Sequence, residues 1–125
     1  MEKEFVPYEQ ALALKELGFD EKCGACYYKK FDNEIGYHKV YRDFNFVQLT
    51  VSAPTFSQAF RFFREKYMLS GEIYIFKNIW NFDIEDIKTS MQLYTSDIMC
   101  YNSYEEAELE CLVKLIEIAK EQNAK

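Results

Sequence analysis

The segment TFSQAFRFFREKY, residues 55–67, constrains the fold of this chain most strongly. Its aromatic and small side chains recur at the three- and four-residue intervals of a helix, so they share one apolar stripe. The stripe consists of Phe56, Ala59, Phe60, Phe63 and Tyr67. Thr55 and Gln58 have the spacing of a capping box, which satisfies free amides at a helix start. The segment therefore predicts an amphipathic helix that must bury one face.

Two further segments also predict helices. Residues 7–17 begin with a proline, which suits a first helical turn, and Gly18 can end this helix in a left-handed cap. Residues 104–121 follow Ser103, which forms a second capping box with Glu106. The chain is thus expected to have a helix near each end and one in the middle.

The segments between these helices have the patterns of strands. Extended stretches are expected at 25–30, 37–42, 44–52, 72–76, 79–84 and 91–95. In the third stretch, apolar residues alternate with Gln48 and Thr50, which predicts a strand with one wet face. The segment EIYIF, 72–76, is apolar on both faces, which predicts a central strand. Lys77 and Asn78 can form a hairpin turn after it, and FDNEIG, 31–36, can form a turn between the first two stretches.

This order of elements predicts an α+β fold. Strands joined by hairpins favour an antiparallel sheet, and helices cover it. We expect one small two-layer domain over residues 1–125, with a mostly antiparallel sheet of about four to six strands. The three helices, 7–17, 55–67 and 104–121, are expected to pack on that sheet.

The charge of the chain limits its binding partners. The net charge is −6, whereas duplex nucleic-acid binders usually carry a basic surface. The first ten residues have no apolar run, and no segment has the ~20 apolar residues of a membrane helix. Neither duplex nucleic acid nor a membrane is therefore expected as a partner. A place in the cytoplasm, where cysteines stay reduced, is predicted.

The pair Cys23 and Cys26 in KCGAC raises the question of a metal or redox site. A structural zinc ion commonly has four ligands, and the candidates beyond this pair are Cys100, Cys111 and the single histidine, His38. A redox pair would sit at a helix N-terminus, which lowers the thiolate pKa, but YYKK follows here. The alternative is a structural turn before the first strand, and this is the favoured interpretation. We therefore predict no cofactor.

A small anionic ligand is a second candidate. Arg61 and Arg64 lie off the aromatic stripe of the central helix, and arginine suits phosphate or carboxylate recognition. Nearby aromatic residues could stack on a base, namely Tyr67, Tyr74 and Trp80. The alternative is an ordinary solvated helix face, because most exposed charges bind nothing specific.

The chain contains eleven Phe, ten Tyr and one Trp. Core packing accounts for most phenylalanines, but a buried tyrosine hydroxyl needs a partner, and tyrosine is enriched at interfaces. Seven tyrosines are candidates for a partner surface: Tyr27, Tyr28, Tyr37, Tyr41, Tyr94, Tyr101 and Tyr104.

Three segments together resemble a family of small, uncharacterised proteins of phages and prophages of gut anaerobes. They are FVPYEQALALKELGFDE at 5–21, APTFSQAFRFFREKY at 53–67 and YEEAELECLVKLIEIAK at 104–120. The resemblance implies a phage or mobile-element origin, and it implies no activity and no site residues.

These observations favour a non-enzymatic phage accessory protein that binds a host component. The partner would be a host protein, or a small anionic ligand such as a nucleotide, as in counter-defence. The first alternative is a self-associating structural or assembly module, which would use a tyrosine-rich surface. The second is a small cysteine-dependent enzyme or zinc-binding protein that uses Cys23 or Cys26 with His38.

Overall fold

A computed structural model describes residues 4–28, 34–46, 50–96 and 100–125. The chain divides into two compact units, Met1–Ala59 and Phe60–Lys125. Each unit contains a three-stranded antiparallel sheet. The expectation of a single domain stays a prediction.

The three predicted helices are confirmed. They are α1 (Tyr8–Glu16), α2 (Phe56–Phe62) and α3 (Tyr104–Asn123), and a π-helical turn, Phe63–Tyr67, directly continues α2. The capping box at Thr55 and Gln58 forms in both directions, and Ser103 caps α3 as predicted. The Gln58 amide donates to Thr55 Oγ1 at 3.2 Å, and the Glu106 amide donates to Ser103 Oγ at the same distance. The side chains at these two positions therefore fix where α2 and α3 begin.

The six strands of the described residues are β1 (Cys23–Tyr28), β2 (Glu34–Arg42), β3 (Thr50–Ser52), β4 (Leu69–Phe76), β5 (Ile79–Asp86) and β6 (Gln92–Thr95). The first sheet has the order β2-β1-β3, and the second has the order β4-β5-β6. The α+β class with antiparallel pairing is thus confirmed. The strands form two three-stranded sheets, where a single sheet was expected.

In the first unit, α1 packs near β3 and ends as predicted. Gly18 has φ 95°, in the left-handed region that glycine adopts without a Cβ clash. The Phe19 amide donates to the Leu14 carbonyl at 2.9 Å, and both side chains are buried. This backbone bond and the apolar contact form a Schellman ending for the helix.

The predicted wet face of β3 is wrong. Thr50, Val51 and Ser52 are all buried, because a 3₁₀ turn at Phe44–Phe46 supplies partners for the polar side chains. Thr50 Oγ1 donates to the Phe44 carbonyl at 2.6 Å, and Ser52 Oγ accepts from the Phe44 amide at 2.9 Å. Each of these two buried hydroxyls therefore has a hydrogen-bond partner. Residues 47–49 of this predicted strand lie outside the described part.

The predicted turn at 31–36 extends too far. Strand β2 already begins at Glu34, and Gly36 pairs with Cys26 of β1. Residues 31–33 lie outside the described residues.

In the second unit, β4 and β5 form the predicted hairpin. Lys77 and Asn78 have φ of 51° and 65°, as in the two-residue turns that match the twist of a hairpin. The prediction that 72–76 is a central strand is wrong, because β4 is at the edge of its sheet and β5 is central. The apolar pattern was misleading because Ile75 and Phe76 are each 53% exposed at the end of the hairpin.

The side chains that α2 and the π-helical turn bury differ from the predicted stripe. The predicted stripe omits Phe62, yet Phe62 is 5% exposed and Phe63 is fully buried. Phe60, which the stripe includes, is only partly buried. Phe62 follows the buried Ala59 by three residues, so the two are neighbours on an ordinary helix surface and the buried stripe is wider than predicted.

Candidate functional site

The sheet β4-β5-β6 has two different faces, because side chains alternate along each strand. Helix α3 covers one of them. A Cβ at Gly71 would lie 2.7 Å from Cys111 Sγ, so Gly71 and the strand positions in phase with it face α3. The other face, called here the distal face, contains Glu72, Tyr74 and Phe76 of β4, Ile79, Asn81, Asp83 and Glu85 of β5, and Thr95 of β6.

Aromatic rings fill the face under α3. Phe82 stacks on Tyr94 and on Tyr101, with ring centroids 5.5 and 5.9 Å apart. Trp80 meets the ring of Tyr104 edge-on at 5.4 Å. Burial raises the pKa of Tyr101 to about 12, with the neighbouring Cys100 as a further cause. These contacts belong to the packing of the unit and leave little of Tyr101 or Phe82 for a partner.

The distal face carries a small cleft of about 270 Å³. Its lining residues are Tyr74, Phe76, Asn81, Thr95 and Ser96. Asn81 Nδ2 donates to the Ile79 carbonyl at 3.0 Å, and Ser96 Oγ accepts from the Phe82 amide at 2.9 Å. The cleft thus has a fixed polar floor beneath the partly exposed rings of Tyr74 and Phe76.

Acidic side chains lie on one side of this cleft, away from the β4–β5 turn. Glu72, Asp83 and Glu85 share the distal face with it. The Tyr74 hydroxyl donates to Asp83 Oδ1 at 3.4 Å. Partial desolvation, and then the Asp83 carboxylate, raises the pKa of Tyr74. Negative charge at these positions disfavours a phosphate or carboxylate ligand and favours basic groups on a partner.

Exposed apolar side chains concentrate on the second sheet. Eight large apolar side chains of the described residues are exposed, and six of them lie between positions 74 and 93. The six form one group at the β4–β5 turn and one near the β5–β6 turn: Tyr74, Ile75 and Phe76, and Ile87, Met91 and Leu93. Clustered apolar exposure of this kind marks interaction surfaces.

The structure separates two of the predicted ligand-binding residues. Tyr74 is on the distal face, whereas Trp80 is on the face towards α3, so the two rings cannot enclose one base. Tyr67 accepts a hydrogen bond from Asn123 Nδ2 at 3.0 Å. Arg61 and Arg64 are exposed on α2 and its π-helical extension.

Most of the tyrosines predicted as a partner surface are packing residues. The Tyr27 hydroxyl donates to the Val6 carbonyl at 2.7 Å, and its ring meets Tyr8 edge-on. Tyr94 and Tyr101 stack on Phe82. Within the described side chains of this set, only Tyr37 and Tyr104 are exposed, and that of Tyr41 lies outside them.

Cys23 and Cys26 lie within strand β1, so the predicted turn at this pair is wrong. The pairing register of β1 with β2 shifts between Cys23 and Ala25, so the strand is irregular at Gly24 but does not end there. Both side chains are fully buried. Burial raises the pKa of Cys23 to about 12 and also raises that of Cys26. A nucleophilic cysteine needs a lowered pKa, because the thiolate is the reactive form, so the raised pKa values argue against either thiol as a nucleophile.

The residues that the structure describes contain no group of three or more His, Cys, Asp or Glu side chains that could hold a metal ion. The side chain of His38 lies outside the described part, so its predicted pairing with Cys23 or Cys26 stays untested.

Thiol labelling gives a direct prediction. We expect one of the four cysteines, Cys100, to react with iodoacetamide in the folded protein, because the other three are buried. Burial also raises the pKa of Cys111 to about 12. Intact-mass spectrometry should show one adduct without denaturant and four in urea. The Cys100→Ser variant serves as the control and should show none when folded, and rapid labelling of Cys23 or Cys26 would contradict the prediction.

No protein-family model, curated protein or solved structure matches the chain. The description of the site therefore rests on this chain alone. Among the described helices, none has the length and apolar character that crossing a bilayer requires.

Sequence reasoning named Tyr74 but missed the other lining residues of the cleft. Phe76 could have been found from the EIYIF pattern, because residues 74 and 76 must share a face of a strand. Asn81, Thr95 and Ser96 join it only through the pairing of β5 with its neighbours. No local signal in the sequence gives that register.

Proposed function

We propose that the protein is a non-enzymatic accessory protein of phage origin that acts in the host cytoplasm by binding and inhibiting a host protein. The single observation that supports this most is the exposed apolar surface of the second sheet. It combines rigid aromatic side chains with a cleft, and aromatic anchors beside pockets supply much of the affinity of protein interfaces.

The surface also indicates the chemistry of the partner. In the apolar group at the β4–β5 turn, Tyr74 adjoins the acidic positions Glu72 and Asp83 on the same face. A matching partner presents an apolar patch beside lysine or arginine residues. A free nucleotide matches this surface poorly, because its phosphates would meet carboxylates. A cysteine-dependent enzyme is disfavoured, because three of the four thiols are buried.

The test compares partner capture by matched variants. Tyr74 and Tyr37 are similarly exposed, at 37% and 45%, but only Tyr74 lines the cleft. Immobilised wild-type protein should retain a specific protein from a host lysate, and the Tyr74→Ser variant should retain at least about tenfold less. The Tyr37→Ser variant should retain as much as the wild type. Added sodium chloride should weaken capture, because part of the attraction is between charges.

Equal retention by the Tyr74→Ser and Tyr37→Ser variants would place the binding surface elsewhere. Retention of no specific protein by the wild type, together with nucleotide binding in calorimetry, would overturn the proposal in favour of a small-ligand function.

A further inference from the structure

Strand β4 presents an open edge. It runs over Leu69–Phe76, and its hydrogen-bonded neighbour in the described residues is β5 alone. Native proteins usually protect such an edge with proline, lysine, a bulge or an inward-pointing charge. The register of β4 with β5 is regular, and the four residues Ile73–Phe76 contain none of these devices.

The backbone groups that point outward from this edge can be identified. The Trp80 amide donates to the Tyr101 carbonyl, and the Phe82 carbonyl accepts from the Ser96 amide, so both residues direct their backbone groups away from β4. Two residues opposite each other in an antiparallel pair either both direct their backbone groups towards the other strand or both direct them away from it. Their partners in β4, Ile75 and Ile73, therefore direct their amides and carbonyls away from β5.

Only part of the edge is accessible. Leu69 is fully buried, whereas Glu72, Tyr74, Ile75, Phe76 and Lys77 are exposed. The accessible segment is thus the end of the hairpin, where four apolar residues lie between one acidic and one basic residue. A strand that pairs here would gain backbone hydrogen bonds and apolar cross-strand contacts together.

We infer that β4 pairs with β4 of a second copy of this chain, antiparallel and about a two-fold axis at Tyr74. The two sheets then form one continuous six-stranded sheet. Ile73 lies opposite Ile75 of the other copy in both halves, and the two Tyr74 rings lie opposite each other. Such apolar and aromatic cross-strand pairs stabilise sheets. This inference uses the same end of the hairpin as the host-protein surface proposed above, but its test is self-association of the purified protein, which needs no host protein.

Charge complementarity supports a second copy as the occupant. With the axis at Tyr74, Glu72 lies opposite Phe76 of the other copy, and Lys77 Nζ lies over the ring of that Phe76, 5.4 Å from its centroid. The symmetry creates this contact twice. Parallel pairing in register would instead place Glu72 beside Glu72 and Lys77 beside Lys77, which is unfavourable. The edge is therefore self-complementary in the antiparallel direction, as a two-fold interface requires.

Sedimentation velocity from low micromolar to several hundred micromolar protein tests the association. We expect a concentration-dependent dimer for the wild type and about tenfold weaker association for Glu72→Lys, which places two lysines close together. Lys77→Glu should weaken it similarly, and the double variant Glu72→Lys/Lys77→Glu should restore it, because opposite charges meet again. Circular dichroism controls for folding, which exposed substitutions should leave intact.

Disulfide trapping tests the register. In a Cys100→Ser background, Tyr74→Cys would place two cysteines opposite each other in a non-hydrogen-bonded pair, where Cα atoms lie about 4.5 Å apart, within the range for a disulfide. The matched control Phe76→Cys would lie about 13 Å from its counterpart, four residues along the partner strand. Oxidation should link the first variant into a covalent dimer and leave the second monomeric.

A wild-type protein that stays monomeric at every concentration overturns the inference, whether or not a host protein is captured. Equal disulfide formation at positions 74 and 76 overturns it too, as does a charge-swapped double variant that associates no better than the single variants. Failure of the wild-type protein to capture any host protein bears only on the proposed function, because sedimentation of the purified protein reports the dimer without a host protein.

Discussion

The Phe82→Ala variant should lose about 3–5 kcal/mol of the free energy of unfolding. Phe82 is 2% exposed and lies in the central strand of its sheet. Its ring stacks on Tyr94 and Tyr101, so truncation removes two aromatic contacts as well as buried apolar area. The cavity left behind cannot easily close, because rings on both sides are held by their own packing. Urea denaturation followed by circular dichroism measures this loss.

A matched control comes from the neighbouring strand. Phe76→Ala makes the same chemical change in the same sheet, but Phe76 is 53% exposed. Its expected loss is within about 1 kcal/mol, as for surface substitutions generally. Similar losses for the two variants would mean that Phe82 is not a core residue.

The Gly71→Ala variant should lose about 1–3 kcal/mol, because the new methyl group has no room. A Cβ at this position would lie 2.7 Å from Cys111 Sγ and 3.2 Å from Leu115 Cδ1. Both side chains are fully buried within α3, so neither can turn into solvent. The helix must therefore move away from β4, which weakens packing along its length.

Removal of the Cys111 sulfur tests this explanation. In the double variant Gly71→Ala/Cys111→Ala, the methyl group at position 71 occupies the space that the sulfur leaves. The losses in the free energy of unfolding of the two single variants should therefore not add. The double variant should lose less than the sum of these two losses, by about 1 kcal/mol or more. Strictly additive losses in urea titrations would show that the crowding at Gly71 has another source.

Local signals in the sequence predicted the helices and the hairpin well. Capping boxes and the left-handed glycine depend on residues within a few positions of each other, so they can be recognised without the tertiary structure. The turn at Lys77 and Asn78 was predicted on the same basis, and both residues adopt positive φ.

Features that depend on distant residues were missed or wrongly predicted. The edge position of β4 depends on which strands pair, and an apolar run such as EIYIF is compatible with either place in a sheet. Thr50 was expected on a wet face, but it is buried because its hydroxyl bonds to the Phe44 carbonyl, in a 3₁₀ turn that no pattern predicts. The burial of Phe62 on α2 depends on what packs against that side of the helix, which the spacing of apolar residues does not show.

The candidate site was predictable only in part, for the same reason. An exposed tyrosine on a strand can be proposed from alternation, as Tyr74 was. Whether Trp80 shares its face depends on the hairpin register, which pairs Trp80 with Ile75. Cys23 and Cys26 have the spacing of a metal or redox pair, but both side chains are buried in strand β1. Here the local pattern suggested a site where the structure has packing residues.

Helix α3 is the last described element of the second unit to leave the ribosome. Until it does, the side chains of Phe82 and Ile84 have no helix to cover them, although the strands that carry them have already been made. At about 5–20 residues per second, this interval lasts a few seconds, in which a nascent sheet can associate with other chains. Chains truncated before α3 should therefore expose this apolar face of the sheet and accumulate as aggregates.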